Sequence, residues 1–264
     1  MVTTLLSTED ALAESAADFV ARLSEEALRH RAVRHPYLKA LAEGALPDTR
    51  WALADFARQY YGYSSHFPRY LTTVISRLEN PAHRRALLAN LTEESGVYDD
   101  AELGELATHG IDRAWIEGIP HPVLFKRFSE AIGVDRGAEA EADQVICWRE
   151  LFLEVLAGGS PAEALGALGF GTETIVRTIY VPFVAAIGRL GDLAPRDTVF
   201  FPLHTAVDDH HQASLREISE DFARSEAGRA GLRRGMLKSL QLRSAFWDWL
   251  HERAMAPDLA HGVL

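Results

Sequence analysis

Between His204 and His211 the chain packs three histidines and two aspartates into eight positions, within the stretch FPLHTAVDDHHQASLREI (residues 201–218). Imidazole and carboxylate are the donor types that suit iron, manganese or zinc; a run this polar is otherwise a solvated helix face. Helical phase separates the two readings. At about 100° per residue, His204, Asp208 and His211 fall within a roughly 60° arc. The same face continues as Leu215, Ile218 and Phe222, all core types, whereas Asp209 and His210 point away from it. Two imidazoles and a carboxylate on a buried stripe cost several kcal/mol unless each finds a partner. That partner is either a divalent metal or a hydrogen-bonded His–Asp–His network.

A metal held in a helical bundle takes donors from facing helices, so carboxylates and histidines on other apolar faces are the next candidates. Glu173 shares a face with Val176, Tyr180, Val184 and Ile187; its alternative role is a first-turn acid favoured by the helix dipole. Glu94 is in phase with Leu87 and Leu91, while Glu93 is rotated toward solvent, so Glu94 is a buried donor or half of a solvated Glu-Glu helix end. His121 opens a helix whose apolar positions are Leu124, Phe125 and Phe128, and is a donor there or a cap before Pro122. Three carboxylates (Glu94, Glu173, Asp208) and three imidazoles (His121, His204, His211) suffice for two metal ions with open positions left. One turn beyond Glu173, Arg177 and Tyr180 are expected to meet a substrate. Arg177 is either a clamp on a substrate carboxylate or an ion-pair partner of a neighbouring acid.

Nearly every long segment that must position these residues has helical period. Apolar positions at Leu12, Ala16, Phe19, Leu23 and Ala27 follow a Ser7/Thr8 cap, and Asp48 caps a long helix through Trp51, Phe56, Tyr60 and Tyr63. Ser160-Pro161-Ala162-Glu163 is a capping box with proline at the first helical position. Gly169-Phe170-Gly171 reads as a helix-to-helix turn, and the last two helices as roughly Pro202 to Ala223 and Ser225 to Ala254. Residues 97–120 differ: an acidic helix, Asp99 to His109, precedes a loop with Gly118 and Pro120. With no alternating strand pattern, repeat or low-complexity linker, the expectation is one all-α domain over 1–264, a bundle of about seven to nine helices. A chain of 264 residues, 47% hydrophobic, has the apolar material for a large core.

A net charge of −11 argues against a nucleic-acid footprint. The lone Cys147 is expected to be a small buried residue and leaves no Cys-based zinc site. The acidic N-terminus does not read as a secretory signal, and no apolar stretch approaches the ~20 residues of a membrane span. A cytoplasmic protein is expected, with a homodimer left open.

The order of these elements resembles the haem-oxygenase-like di-iron oxidase and oxygenase superfamily. Asn90-Leu91-Thr92-Glu93-Glu94-Ser95-Gly96 is similar to the family's N-L-x-x-E-x-G segment, and the stretch from His121 to Phe128, with Ile132-Gly133 behind it, to its second ligand helix. His204-x3-Asp208-x2-His211 matches the last ligand helix, and Glu173 sits 31 residues before it, where the remaining carboxylate is expected. The similarity spans about residues 36–222. It implies a site of Glu94, His121, Glu173, His204, Asp208 and His211 for two Fe(II) ions, with O2 as co-substrate and an external electron donor as a further partner. It also implies oxidation of a small amine or amino-acid-like metabolite. The 26 residues between Glu94 and His121 exceed the usual connection. Some N-oxygenating members have an added helix here that supplies one more carboxylate, a role for which Glu102 or Glu105 is available; the alternative is a solvated helix over the entrance. The insert favours N-oxygenation over oxidative C–C cleavage or desaturation. A metal-free member, like pyrroloquinoline quinone synthase or the thiaminase-like enzymes, would lack part of this donor set. A haem oxygenase would need a proximal histidine such as His30 or His35, and a non-enzymatic helical binding protein is the remaining reading.

Overall fold

A computed structural model of the chain describes residues 14–135, 141–206 and 210–257, without the side chains of 210–213. Among them are fifteen α-helices and one π-helical turn. In order these are α1 (Ala16–Arg29), α2 (Pro36–Glu43), α3 (Thr49–Ser64), α4 (Phe67–Arg77), α5 (Pro81–Glu94), α6 (Asp100–Thr108), α7 (Arg113–Ile116) and α8 (His121–Ala131). Then come α9 (Asp143–Gly158), α10 (Pro161–Leu168), the π turn (Gly169–Glu173), α11 (Thr174–Leu190), α12 (Pro195–Thr198), α13 (Phe200–Ala206), α14 (His210–Phe222) and α15 (Glu226–Met255). The all-α architecture is as expected, but the helices outnumber the seven to nine anticipated. Short single-turn pieces such as α7 and α12 lack a resolvable period, and prolines restart the chain at Pro36, Pro81 and Pro195.

Caps set many of the boundaries. The Asp48 carboxylate accepts from Trp51 N–H at 2.9 Å and opens α3. The Ser160 hydroxyl accepts from Glu163 N–H, but the Glu163 carboxylate turns instead to Lys238 at 2.6 Å, so the expected box closes on one side. The described part of α1 is capped by Ser15; Ser7 and Thr8 lie outside the described residues. Cys147 is exposed, contrary to expectation. The stripe of α9 that enters the core is Val145, Trp148, Phe152 and Leu156, and Cys147 falls off it.

Helices α10 and α15 cross with their backbones nearly touching. A Cβ on Gly166 would stand 2.0 Å from the Leu232 carbonyl oxygen, and one on Gly235 1.8 Å from that of Glu163. The Gly-Phe-Gly segment does not turn back as expected. It continues α10 into α11 as a π-helical turn, against which Ser239 packs, its hydroxyl donating to the Gly171 carbonyl at 3.0 Å. The resulting run, Pro161–Leu190, is long and apolar enough to cross a membrane, a length the broken sequence pattern concealed. Half of its most apolar window is buried inside the bundle. Around it lies an aromatic core in which Phe56 meets Phe183 at 4.1 Å and Tyr63 stacks on Trp148 at 3.8 Å.

Candidate metal centre

Glu94 is the last residue of α5 and continues the buried stripe of Leu87 and Asn90. His121 is the first residue of α8, and His204 lies in α13. These ends meet because the insert is closed at its base. Gly118 N–H donates to the Gly96 carbonyl at 2.8 Å, and Gly96, at φ +82°, lies so close to Ile119 that a Cβ would be 2.5 Å from its nitrogen. Glycine alone tolerates both demands.

One ligand atom each from Glu94, His121 and His204 lie within 4.8 Å of one another. His121 Nδ1 is 3.0 Å from Glu94 Oε1, and the His121 and His204 rings are 4.9 Å apart. Both Glu94 and His121 are buried, at 8% and 4% exposure. His204 Nδ1–H donates to the Phe200 carbonyl at 2.6 Å, one helical turn back, which leaves the Nε2 lone pair available to a metal. Burial, then the neighbouring His121, lowers the His204 pKa to about 4, so the ring is neutral near pH 7. Two imidazoles and a carboxylate, buried and converging, fit a first-row divalent metal.

Glu173, from the π turn, lines the same cavity of about 40 Å³ as Glu94, His121 and His204. A π turn shifts the register of the residues after it and is frequent at functional sites. Tyr180 lines this cavity too, with its ring 5.5 Å from His204. Arg177 is exposed and is not among the lining residues. Asp208 and the His211 side chain lie outside the described residues. In the insert, Glu102 Oε2 accepts from Asp99 N–H at 2.7 Å as the return arm of a capping box, and Glu105 is exposed; neither lines the cavity. At the chain start His35 is a buried N-cap whose Nδ1 accepts from Tyr37 N–H and whose Nε2 is 3.1 Å from Asp248. His30 Nδ1 accepts from Ala32 N–H. These contacts give both histidines structural roles.

Sequence reasoning missed Tyr98. Its hydroxyl is 2.8 Å from His121 Nε2, on the far side of the ring from Glu94. Burial, followed by the charges of Glu93, Glu94 and Glu102, pushes the phenol pKa well up, so it stays protonated. The hydroxyl engages Nε2 and so holds the ring with Nδ1 toward Glu94; with a metal on Nδ1, Nε2 would carry the proton and the phenol oxygen would accept it. Tyr98→Phe is expected to lower iron affinity by about 10- to 100-fold, measured by anaerobic competition titration against a chelator. A flanking Tyr within an insert carries no periodic signal, but its place four residues after Glu94 was a usable clue.

A family model described as an iron-containing redox enzyme matches residues 54–244, a span that contains all the donors above. The chain belongs to that family. It is thus an iron-binding oxidoreductase by family, and Glu94, His121 and His204 are the group among its described residues whose ligand atoms lie close enough to hold a metal. It is 24% identical over 198 residues to a 4-aminobenzoate synthase of Chlamydia muridarum, covering 74% of this chain and 75% of that protein. It is 25% identical over 229 residues to a 4-chloro-allylglycine synthase of Streptantibioticus cattleyicolor, covering 84% and 79%. A solved domain of unknown function with a haem oxygenase-like fold, from Shewanella denitrificans, superposes with a TM-score of 0.64 at 17% identity over 95% of this chain and 94% of that one. That likeness establishes the haem-oxygenase-like fold.

Proposed function

We propose that this protein is a non-haem di-iron enzyme that uses O2 to oxidise a small amino-acid-like metabolite. The convergence of Glu94, His121 and His204 beside a cavity, in a chain of the iron-containing redox enzyme family, carries this reading. Glu173, with Asp208 and His211, completes the donor set for the second ion. Bound iron supplies the redox electrons and open coordination positions that O2 chemistry needs.

The protein's own residues do the rest. Glu94 and Glu173 bring negative charge that favours the higher metal charge, while His204 and His121 fix geometry through their engaged second nitrogens. Phe67, Val176 and Phe200 wall the cavity and limit water at the reacting centre. The Tyr60 and Tyr180 hydroxyls, 2.9 Å apart, offer a proton at the cavity wall.

Glu102 and Glu105 stand away from the cavity, so the insert no longer favours N-oxygenation through an added ligand. The relative named for 4-chloro-allylglycine points to a carbon-centred outcome, because an allyl group carries an alkene. Oxidative C–C cleavage or desaturation of an amino acid is therefore the first reading, and oxygenation of its nitrogen the second. O2 uptake by the Fe(II)-loaded protein across a panel of amino acids and amines tests both, with isotopically labelled O2 and mass spectrometry of products. An alkene or a shortened carbon skeleton supports the first reading, and labelled oxygen on nitrogen the second. No substrate-dependent O2 uptake across the panel would refute the function.

A further inference from the structure

Arg243, midway along α15, is 1% exposed, and its Nε and Nη1 groups have no hydrogen-bond partner. Its Nη2 lies 3.5 Å from the Tyr63 hydroxyl, the Tyr60 hydroxyl is a second phenol partner, and no carboxylate among the described residues forms an ion pair with it. Guanidinium does not lose its proton in proteins, so a full positive charge sits inside the bundle without an anion among the described residues. It lies over the rings of Tyr63 and Trp148, at 5.4 and 5.3 Å, which offsets part of the cost of burying it. Burying an unpaired charge otherwise costs several kcal/mol.

What lies in front of this cation is the cavity beside the metal donors. Tyr60, Tyr63 and Tyr180 all line it, as do Glu94, His121 and His204. The polar groups run in sequence from His204 to Tyr180 (rings 5.5 Å), to Tyr60 (hydroxyls 2.9 Å) and to Tyr63 (rings 5.8 Å), behind which stands Arg243. When Tyr60 and Tyr180 share a hydrogen bond, one of the two keeps its proton for a ligand. The Tyr63 oxygen accepts from the guanidinium, which cannot accept in return, so the Tyr63 proton turns to Thr172 or to a ligand. Phenol donors backed by an unpaired cation complement an anion, and the metal donors fix where the rest of that molecule lies.

We propose that Tyr60, Tyr63 and Arg243 form a carboxylate-recognition site, which seats the substrate's carboxylate on the phenol hydroxyls and neutralises it with the guanidinium one layer behind. The inference rests on the function proposed above and narrows its substrate to a carboxylic acid whose reacting carbon or nitrogen then lies toward His204. It places in Arg243 the anion-binding role that the exposed Arg177 does not fill.

Binding of benzoate, 4-aminobenzoate, hexanoate and norvaline, each against its primary amide, tests this by calorimetry on the full chain. Arg243→Met removes the charge and keeps an apolar side chain of similar reach, a change that buried ion sites commonly tolerate without loss of stability. Wild type should bind at least one carboxylate about 10-fold or more tighter than its amide, and Arg243→Met should lose that preference while its amide affinity moves less than about threefold. Tyr63→Phe, with the cation left in place, should lose part of it. Equal binding of acids and amides by wild type, an unchanged preference in Arg243→Met, or an equal fall for acid and amide would each overturn the site. Iron binding by wild type is measured alongside. Its failure with the carboxylate preference intact would refute the proposed function and leave the anion site standing.

Discussion

Alanine at His204 is expected to abolish iron binding at working concentrations while leaving the helical content intact. In the proposed centre His204 would bind through Nε2, because Nδ1–H is held by the Phe200 carbonyl. Removing a ligand should exceed the 10- to 100-fold penalty typical of losing an outer partner, so a loss of more than about 100-fold is expected. His83→Ala is the control. His83 pairs with Asp221 at 2.8 Å, is not one of the clustered donors, and its removal should leave iron affinity as in wild type. Equal iron content in His204→Ala and wild type would remove His204 from the metal site.

Alanine at Gly96 is expected to unfold the site without touching a ligand. The φ of +82° costs a Cβ-bearing residue about 1–2 kcal/mol, and the 2.5 Å approach to the Ile119 backbone adds about 1–3 kcal/mol of overpacking. A loss of roughly 2–5 kcal/mol by urea denaturation is expected, together with weakened iron binding, because Gly96 fixes the base of the loop between Glu94 and His121. Gly104→Ala provides the opposite sign. Gly104 sits inside α6 with nothing near its would-be Cβ, and alanine there should stabilise by up to about 1 kcal/mol. Identical effects of the two substitutions would contradict the closure argument.

Helical phase made much of this arrangement legible. It separated Glu94 from Glu93 and placed Leu215 and Ile218 in the core. The single helix expected from Pro202 to Ala223 is described as two, α13 and α14, and the phase linking His204 to Leu215 crosses 207–209, outside the described residues. What it could not supply were features created by chain closure. Tyr98 reaches His121 only because Gly96 and Gly118 draw the ends of the insert together. The π turn was read as a reversal because paired glycines commonly mark turns; here Gly171 instead admits Ser239. Arg243 was readable in principle. It continues the buried stripe of Met236, Leu240, Trp247 and Leu250 at spacings of three and four. A long helix with several charges nevertheless suggests a solvated face, and the glycine-mediated contact of α10 with α15 carries α15 into the core. Arg177 fails for the complementary reason: the buried stripe of α11 at Ile175, Ile179 and Phe183 lies about half a turn round the helix from it.

The most direct test is the iron content of the purified chain after anaerobic loading with Fe(II) and removal of excess metal. Two imidazole–carboxylate sites predict about two iron ions per chain, whereas less than about one, with the protein folded, would contradict a di-iron centre.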